Sequence, residues 1–357
     1  MNVDLINDQP EHSGAGVYAW NLHRALKGQP GIRFVHYNYQ GGSCDFYGKN
    51  GLDSRLKAAK SAARPLFWKN CSRAYAHGEN IHILSQNLSF LKPGKRRIIT
   101  CLDLIPLIMP DSLLEKYWRR ILYSGLKKAD HIISISQATK DDLVRIYRID
   151  PDKITPVMLG VSPEYHPRDK AECRQKLGLA VDDRIILHVG TPAPRKNFIT
   201  VLKAFRQLAK VRKDVVLIKV GRISKSDQVY LSSNDLSGRV LVRDNIPGDD
   251  LPFYYAASDI LAFPSLYEGF GLPVLEAMAS GCPVITSNTT SLPEVAGGAG
   301  IMIDPTDQES LKNKILEVLE NGQLSGKLTQ KGLSRAKRFS WGNTAEETLA
   351  VYKKVFG

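Results

Sequence analysis

The chain has 357 residues, of which 43% are hydrophobic and 24% charged, and its formal net charge is +13. At roughly 150 residues per domain this length predicts two domains. The ordinary composition excludes a disordered chain, a collagen-like fibre and a disulfide-stapled miniprotein. The positive charge favours anionic partners, such as phosphate-bearing substrates or an anionic membrane face.

The location of the protein is predicted from its apolar runs and its cysteines. No apolar run reaches the ~18 residues that a membrane-spanning helix needs, and the start of the chain lacks the features of a secretory signal. Five cysteines stand far apart, without a CxxC pair, at positions 44, 71, 101, 173 and 282. This usage predicts reduced thiols in a cytoplasmic protein.

Strands alternate with helices along the whole chain. In the first half we expect strands at 3–6, 32–37, 81–84, 97–100 and 131–135, with helices at 16–26 and 140–146. The second half predicts strands at 184–189, 215–220, 239–243, 260–264, 283–286 and 301–303, with helices at 199–208, 250–257, 273–280, 308–319 and 340–356. Such alternation is typical of parallel sheets with crossover helices.

The predicted fold class is therefore α/β, with two Rossmann-like doubly wound domains. The boundary falls in the polar stretch near Tyr165, so the domains cover 1–165 and 166–339. Because ligands bind at the carboxyl ends of parallel strands, we expect the site in a cleft that the two domains face.

The strongest motif follows the predicted strand 260–264 and reads EGFGLPVLE, from Glu268 to Glu276. Gly269 and Gly271 allow close backbone approach, and the next helix offers free N–H groups to a phosphate. The two carboxylates can accept hydrogen bonds from vicinal hydroxyls of a sugar or ribose. The alternative is a helix-capping loop with a solvated glutamate.

Two further loops follow strands and precede helices. Gly190 begins the segment GTPAPRKN, in which Arg195 and Lys196 can pair with a diphosphate; the alternative is two solvated cations. Gly14 and Gly16 lie in a turn before the first helix, without the third glycine of a dinucleotide fingerprint. That turn is either a backbone-approach loop or a simple strand–helix connection.

A basic stretch with aromatic residues, 52–77, is interrupted by Pro65 and predicts two helical pieces. Such a stretch can lie on an anionic membrane surface, and the alternative is a solvated helix face. No nucleic-acid recognition motif accompanies it. Asp150-Pro-Asp152 has the form of a metal-binding DxD, but its polar setting favours a capping turn.

The order of the motifs resembles the retaining nucleotide-sugar glycosyltransferases of family four, over nearly the whole chain. The resemblance rests on Gly14 and Gly16, on the segments 101–106, 134–143, 159–161, 190–197 and 291–294, and above all on 264–281. It implies the GT-B fold, in which two Rossmann-like domains face a cleft. It also implies that the C-terminal helix, 340–357, crosses back to the first domain.

The resemblance implies catalytic and binding roles. Glu268 would contact the donor sugar, Glu276 the ribose hydroxyls, and Arg195 and Lys196 the leaving diphosphate, while Asp103 would lie on the acceptor side. The remaining substrate-binding positions would be Gly14, Gly16, Gly190, Thr191, Gly269, Phe270, Gly271 and Leu272.

Two positions depart from the family pattern. Thr191 stands where the family often has Arg, so that Arg195 is expected to substitute for it. Leu102 stands where the family often has His before Asp103.

The implied reaction is transfer of a sugar, with retention of configuration, from a nucleotide diphosphate donor to a glycan or lipid-linked acceptor in polysaccharide biosynthesis. GDP-mannose is the first donor expected and a UDP-sugar the next, and no metal or other cofactor is required. The alternatives are a nucleotide-sugar epimerase or hydrolase of the same fold and a non-catalytic nucleotide-sugar-binding subunit. The expected location is the cytoplasm, with peripheral membrane contact through 52–77.

Overall fold

The computed structural model describes residues 2–11, 13–40, 43–48, 51–57, 64–74, 79–91 and 94–357. The chain divides into two compact units. The first contains Met1–Gly160 together with Trp341–Gly357, and the second contains Val161–Ser340.

The described part of the first unit contains one sheet of eight strands. These are β1 (Val3–Asn7), β2 (Ile32–Asn38), β3 (Ser43–Gly48), β4 (Gly51–Lys57), β5 (Asn80–Ile83), β6 (Arg96–Cys101), β7 (His131–Ser134) and β8 (Ile154–Pro156). Their order is β4-β3-β2-β1-β5-β6-β7-β8. The pairs are parallel except for β2–β3 and β3–β4, which are antiparallel. The central strands β1 and β5 are buried throughout, as expected of a sheet covered on both faces.

The helices of this unit before the boundary are α1 (Gly14–Leu26), α2 (Arg64–Ala74), α3 (Ile105–Ile108), α4 (Leu113–Leu122) and α5 (Gln137–Tyr147). Several begin at a side-chain cap that satisfies the free N–H groups of the first turn. Ser13, Ser112 and Ser136 accept from Gly16 N, Glu115 N and Thr139 N, respectively.

The prediction of two helical pieces in 52–77 is wrong for the first piece and confirmed for the second, which is α2. Gly51–Lys57 is the edge strand β4, while 58–63 and 75–78 lie outside the described residues. In α2 the aromatic side chains of Phe67 and Trp68 are buried in the core of the unit, together with Cys71. They therefore stabilise the fold and cannot insert into a bilayer.

The second unit, whose residues are all described, has a parallel sheet in the order β11-β10-β9-β12-β13-β14. Its strands are β9 (Arg184–Val189), β10 (Val215–Val220), β11 (Val240–Arg243), β12 (Ile260–Phe263), β13 (Val284–Ser287) and β14 (Ile301–Ile303). Its helices are α6 (Lys170–Leu177), α7 (Phe198–Val211), α8 (Lys225–Ser233), α9 (Leu251–Ala257), α10 (Leu272–Ala279), α11 (Leu292–Ala296), α12 (Gln308–Glu320) and α13 (Gly322–Ala336). The strand order reverses between β9 and β12, and such a switch point is where open α/β sheets bind ligands.

The last helix, α14 (Trp341–Phe356), belongs to the first unit. A series of buried side-chain hydrogen bonds joins it to the rest of this unit. Tyr352 Oη lies 2.6 Å from His82 Nδ1, and His82 Nε2 lies 2.7 Å from Thr100 Oγ1. Tyr18 Oη lies 2.8 Å from the same Thr100 atom. Burial lowers the pKa of His82 to about 3, so this imidazole is neutral. Because every member has a partner, the chain of hydrogen bonds specifies where α14 packs.

The two Rossmann-like α/β folds confirm the predicted fold class. The strands that the sequence missed are β3 and β4, and the missed helices include α6, α8 and α13. Within the ranges that the structure describes, no helix combines the length and the apolar character needed to cross a bilayer.

Candidate active site

A glycine-containing loop, 264–271, connects β12 to α10 and carries Glu268. Serine hydroxyls hold its backbone: Ser287 Oγ donates to Ser265 O at 2.6 Å, and Ser291 Oγ donates to the carbonyls of Glu268 and Phe270 at 3.0 and 2.7 Å. Buried carbonyls satisfied in this way keep the loop in one conformation. Glu268 therefore projects from a fixed backbone.

Gly271 ends this loop with a φ of 118°. A Cβ at this position would lie 2.7 Å from Leu292 Cδ2, so both the conformation and the space require glycine. No side chain among the described residues caps the first turn of α10. The loop thus leads directly into a helix end whose N–H groups favour an anion.

Arg195 and Lys196 lie in the turn between β9 and α7, and both contact Glu268. Lys196 Nζ donates to Glu268 Oε1 at 2.6 Å, and Arg195 Nη1 donates to Oε2 at 3.1 Å. The loops after the neighbouring strands β9 and β12 therefore converge. We call these three side chains the ion cluster.

Asn197 fixes the backbone beside the ion cluster. It has a left-handed φ of 56°, and its Nδ2 donates to Pro264 O at 2.9 Å and to Pro305 O at 2.7 Å. Leu266 N also donates to Arg195 O at 2.7 Å. The two loops are consequently joined by hydrogen bonds to backbone groups as well as by the ion pairs.

Glu268 and Lys196 of the ion cluster are buried, at 7% and 8% exposed, whereas Arg195 is partly exposed. Burial acts to raise the pKa of Glu268, but the charges of Lys196 and Arg195 outweigh it and lower this pKa below its ordinary value. Burial also lowers the pKa of Lys196, against the opposing effect of Glu268. Two cations facing one carboxylate leave one positive charge in excess, which suits an anionic ligand.

Glu276 lies in α10, and its Oε2 accepts from Tyr255 Oη at 2.8 Å. Burial raises the pKa of this carboxyl to about 7, although hydrogen bonds from Tyr255 and Tyr165 and the charge of Lys196 act to lower it. The rings of Tyr165 and Tyr255 meet edge to face with centroids 5.8 Å apart. The two tyrosines, which the sequence analysis missed, orient the carboxyl group.

A third missed residue is Lys219, which lies near the end of β10 and is fully buried. Its Nζ donates to Gly190 O and, at 2.9 Å, to Val220 O. Burial, followed by the charge of Lys196, lowers its pKa to about 8. Gly190 itself has a φ of 151°, a conformation that favours glycine, and Lys219 anchors this turn at the start of the β9–α7 loop.

The glycines of the first unit differ in their surroundings. Gly14 is the first residue of α1, and among the described residues no atom lies within 4 Å of where its Cβ would be. A Cβ at Gly16 would lie 1.8 Å from Pro10 O. Local packing therefore requires glycine at position 16, whereas the space beside the Cα of Gly14 is open.

Asp103 follows β6, and its Oδ1 accepts from Ile105 N at 3.0 Å, which stabilises the start of α3. Gln86 holds the same segment, since its Nε2 donates to Asp103 O and its Oε1 accepts from Leu102 N, each at 3.0 Å. Leu102 packs into the core. Asp103 is half-buried.

The remaining predicted residues lie in the two loops of the second unit. Thr191 is exposed and Leu272 half-buried. The ring of Phe270 is buried, 6.1 Å from that of Phe339, so its side chain belongs to the core and only its backbone can meet a ligand.

No group of three or more His, Cys, Asp or Glu side chains within the described ranges is arranged to hold a metal ion. Asp150 Oδ1 accepts from Asp152 N at 3.0 Å and caps the turn Pro151–Lys153. The interpretation of this DxD as a capping turn is confirmed.

Two family models match the chain in tandem. Residues 12–165 match the model described as Glycosyltransferase Family 4, and residues 169–335 match that described as Glycosyl transferases group 1. Together the two matches include both glycine loops, the ion cluster and Glu276.

Curated relatives include mannosyltransferases. The O-antigen chain mannosyltransferase B of Escherichia coli is 37% identical over 245 residues, which are 67% of this chain and 64% of the relative. The serotype-specific mannosyltransferase WbdA of E. coli is 31% identical over 73% of this chain and 34% of the relative. The chain thus matches less than two thirds of the length of these relatives.

Solved structures share the fold over the full length. Sucrose-phosphate synthase from Thermosynechococcus elongatus superposes with a TM-score of 0.80 at 21% identity, covering 99% of both chains. WaaG, a glycosyltransferase involved in lipopolysaccharide biosynthesis, superposes with a TM-score of 0.76 at 16% identity, covering 98% of this chain and 99% of its own. The chain belongs to the family-four glycosyltransferases and has their GT-B fold.

Proposed function

We propose that the protein transfers a sugar from a nucleotide diphosphate donor to a glycan or lipid-linked acceptor, with retention of anomeric configuration. The ion cluster carries this proposal. It presents two cations beside a glycine loop and a helix end, and this combination favours a diphosphate. GDP-mannose is the first donor proposed, supported by the mannosyltransferase names of the relatives, and a UDP-sugar is the next.

In the proposed reaction the bond between the sugar C1 and the diphosphate oxygen breaks, and a bond from C1 to the acceptor oxygen forms. The acceptor proton passes to the departing phosphate oxygen on the same face, so configuration is retained. Lys196 and Arg195 stabilise the charge that grows on the diphosphate. Glu268 binds sugar hydroxyls and is a poor nucleophile while both cations hold its oxygens.

Glu276 is proposed to bind the ribose hydroxyls, because an oriented carboxyl group beside two tyrosines is suited to accept from a diol. Backbone N–H groups from Gly269 to Leu272 are proposed to bind the sugar and diphosphate. Gly14 and Gly16 are proposed to approach the diphosphate, and Asp103 to act on the acceptor side.

The cations of the ion cluster supply charge that other transferases obtain from a divalent metal, so we propose that no metal is needed. A chelator should then leave transfer unchanged. The five cysteines are all buried free thiols, which supports a cytoplasmic location.

The test has a binding arm and a transfer arm. Thermal shift against GDP, UDP, ADP, CMP and their sugars identifies the nucleotide; a ligand at 100 times its dissociation constant adds about 2.7 kcal/mol of stability. Transfer is then measured with the identified donor and oligosaccharide or lipid-linked acceptors. The anomeric configuration of the product is read by NMR.

Variants separate binding from chemistry. Lys196→Ala should lower kcat by about 10²-fold or more, as expected for loss of a charge that stabilises the transition state. Glu276→Ala should mainly weaken donor binding. Lys203→Ala, at an exposed position of α7, is the matched control and should change neither. Unchanged turnover in both site variants would refute the site.

The same assays test the other functions. Donor turnover without any acceptor would favour an epimerase or hydrolase. Donor binding without turnover across the acceptor series would favour a non-catalytic subunit. Either outcome would contradict the proposed transfer.

A further inference from the structure

Lys219 is a charged side chain in a strand that is otherwise apolar. Strand β10 has the sequence VVLIKV, and Lys219 is 0% exposed. Its ammonium lies 5.5 Å from the centre of the Phe198 ring, and no carboxylate among the described residues forms an ion pair with it. A buried charge without a counter-charge is costly, and an apolar side chain of similar length would avoid that cost. Such a departure from an apolar core is typical of a functional site.

The other charged groups around Lys219 do not neutralise it. Burial, and then the charge of Lys196, lowers its pKa to about 8, while the charges of Asp227 and Asp244 act to raise this pKa. His188, on the neighbouring strand β9, is neutral because burial lowers its pKa to about 3. Both aspartates are already engaged, one by a serine hydroxyl in the cap of α8 and the other by an arginine. An anionic ligand at this end of the strand would supply the counter-charge.

Lys219 also fixes the orientation of one peptide group, that between Gly190 and Thr191. Its Nζ donates to Gly190 O and, at 2.9 Å, to Val220 O, so the Gly190 carbonyl points into the interior. Gly221 leaves room for this carbonyl, since a Cβ there would lie 2.3 Å from Gly190 O. The C=O and N–H groups of a trans peptide point in opposite directions, and no described peptide bond is cis. The N–H of Thr191 therefore points away from Lys219.

The backbone N–H of Thr191 is open to a ligand. Thr191 is exposed, and no acceptor within the described part of the chain binds its N–H. It lies in the same loop as Arg195 and Lys196, the two cations of the ion cluster. An outward N–H group with a buried cation behind it and two further cations in its loop is suited to a phosphate oxygen.

We propose that Lys219 is a positioning residue for the diphosphate of the donor. It holds the Gly190 carbonyl inward so that Thr191 N–H donates to a phosphate oxygen, and its buried ammonium adds positive charge behind this peptide. The inference rests on the proposed function and deepens it, because it adds to the site a residue that no sequence motif indicates. A lysine that only supported the loop would not distinguish phosphate from the rest of the ligand.

The experiment compares a nucleoside diphosphate with its nucleoside, which lacks the phosphates. Binding of GDP and UDP to the whole chain is measured by isothermal titration calorimetry, and binding of guanosine and uridine by ligand-observed NMR. Lys219→Met keeps an unbranched side chain but lacks the charge and the donor. Its matched control is Lys213→Met, at an exposed position just before β10. A second variant, Thr191→Pro, removes the backbone N–H at an exposed position and leaves the buried strand untouched.

We expect K219M to bind the diphosphate at least about tenfold more weakly and the nucleoside like the wild type. T191P should show the same pattern, and it decides the question by itself if K219M does not fold. K213M should bind both ligands like the wild type. Unchanged affinity of K219M or T191P for the diphosphate, or an equal loss of affinity for nucleoside and diphosphate, would overturn the proposal.

The pH dependence of binding tests the charge of Lys219 separately. Because a phosphate favours the ammonium form and the pKa of this amine is about 8, the wild type should lose affinity for the diphosphate as pH rises through that value, and K219M should lose less. Equal losses in the two proteins would overturn the electrostatic role. If neither diphosphate binds the wild type, the proposed function fails and this inference with it. If the wild type and K219M bind the diphosphate alike, only the assignment of Lys219 fails.

Discussion

Glu276→Gln should raise the free energy of unfolding of the second unit at neutral pH, because it removes a buried carboxyl group that is costly to ionise. In the folded protein the pKa of Glu276 is about 7, raised by burial from an ordinary value of 4.5. Between these two pH values the folded state binds a proton that the unfolded state lacks, so the free energy of unfolding falls as pH rises. Glutamine can still accept from Tyr255, but it has no charge to bury.

The magnitude follows from the two pKa values. A shift from 4.5 to about 7 corresponds to a cost of up to about 3 kcal/mol once the carboxyl is ionised. For a unit of 180 residues, Val161–Ser340, this is about 6–12 °C in Tm. E276Q and the wild type should therefore have similar Tm values near pH 4.5 and diverge up to about pH 8, with E276Q the more stable.

Differential scanning calorimetry at pH 5, 6, 7 and 8 measures the difference. Glu317→Gln, at an exposed position of α12, is the control and should follow the wild type at every pH. Tryptophan fluorescence supplies an internal reference, because all four tryptophans, at 20, 68, 118 and 341, belong to the first unit. A Tm difference between E276Q and wild type that does not change with pH would refute the reasoning.

Three further substitutions test the scaffold of the site. Ser291→Ala leaves two loop carbonyls without their donor and should lower stability by about 1–3 kcal/mol, measured by thermal unfolding against Ser232→Ala; an unchanged Tm would contradict the role given to this hydroxyl. Gly271→Ala forces a Cβ to 2.7 Å from a leucine side chain at a φ of 118°, so it should lower Tm and nucleotide affinity together; retained affinity would mean that the loop adapts. The pKa of Lys219 is about 8, below an ordinary 10.5. The free energy of unfolding of the wild type should therefore rise with pH across that interval, whereas that of Lys219→Met should not. Parallel pH profiles of the two proteins would contradict the lowered pKa of this amine.

The six strands of the second unit could all be predicted from the sequence, although three of its helices, α6, α8 and α13, were missed. Its strands are short apolar runs, such as β9 and β10, that are buried on both faces and separated by helical spacing. The hairpin β3–β4 could not be predicted in this way. Leu52 and Leu56 stand four residues apart, and that spacing places side chains on one face of a helix and on one face of a strand alike.

The residues of the ion cluster could be found because they lie in loops after strands, where such sheets bind ligands. Their mutual contact could not, because it joins positions 195 and 268 through the pairing of β9 with β12. The sequence did not predict the hydrogen-bond partners of Glu276 for the same reason. Tyr255 and Tyr165 have no motif around them, and only packing of α9 beside α10 brings Tyr255 to the carboxyl group.

The return of α14 to the first unit has a consequence for the order in which the protein forms on the ribosome. The second unit is continuous in sequence, whereas the first is completed only by Trp341–Gly357. Domains usually fold in the order in which they are synthesised. Here the buried histidine His82 has no tyrosine partner until Tyr352 is made, so the unit whose synthesis begins first is the one that reaches its native packing last.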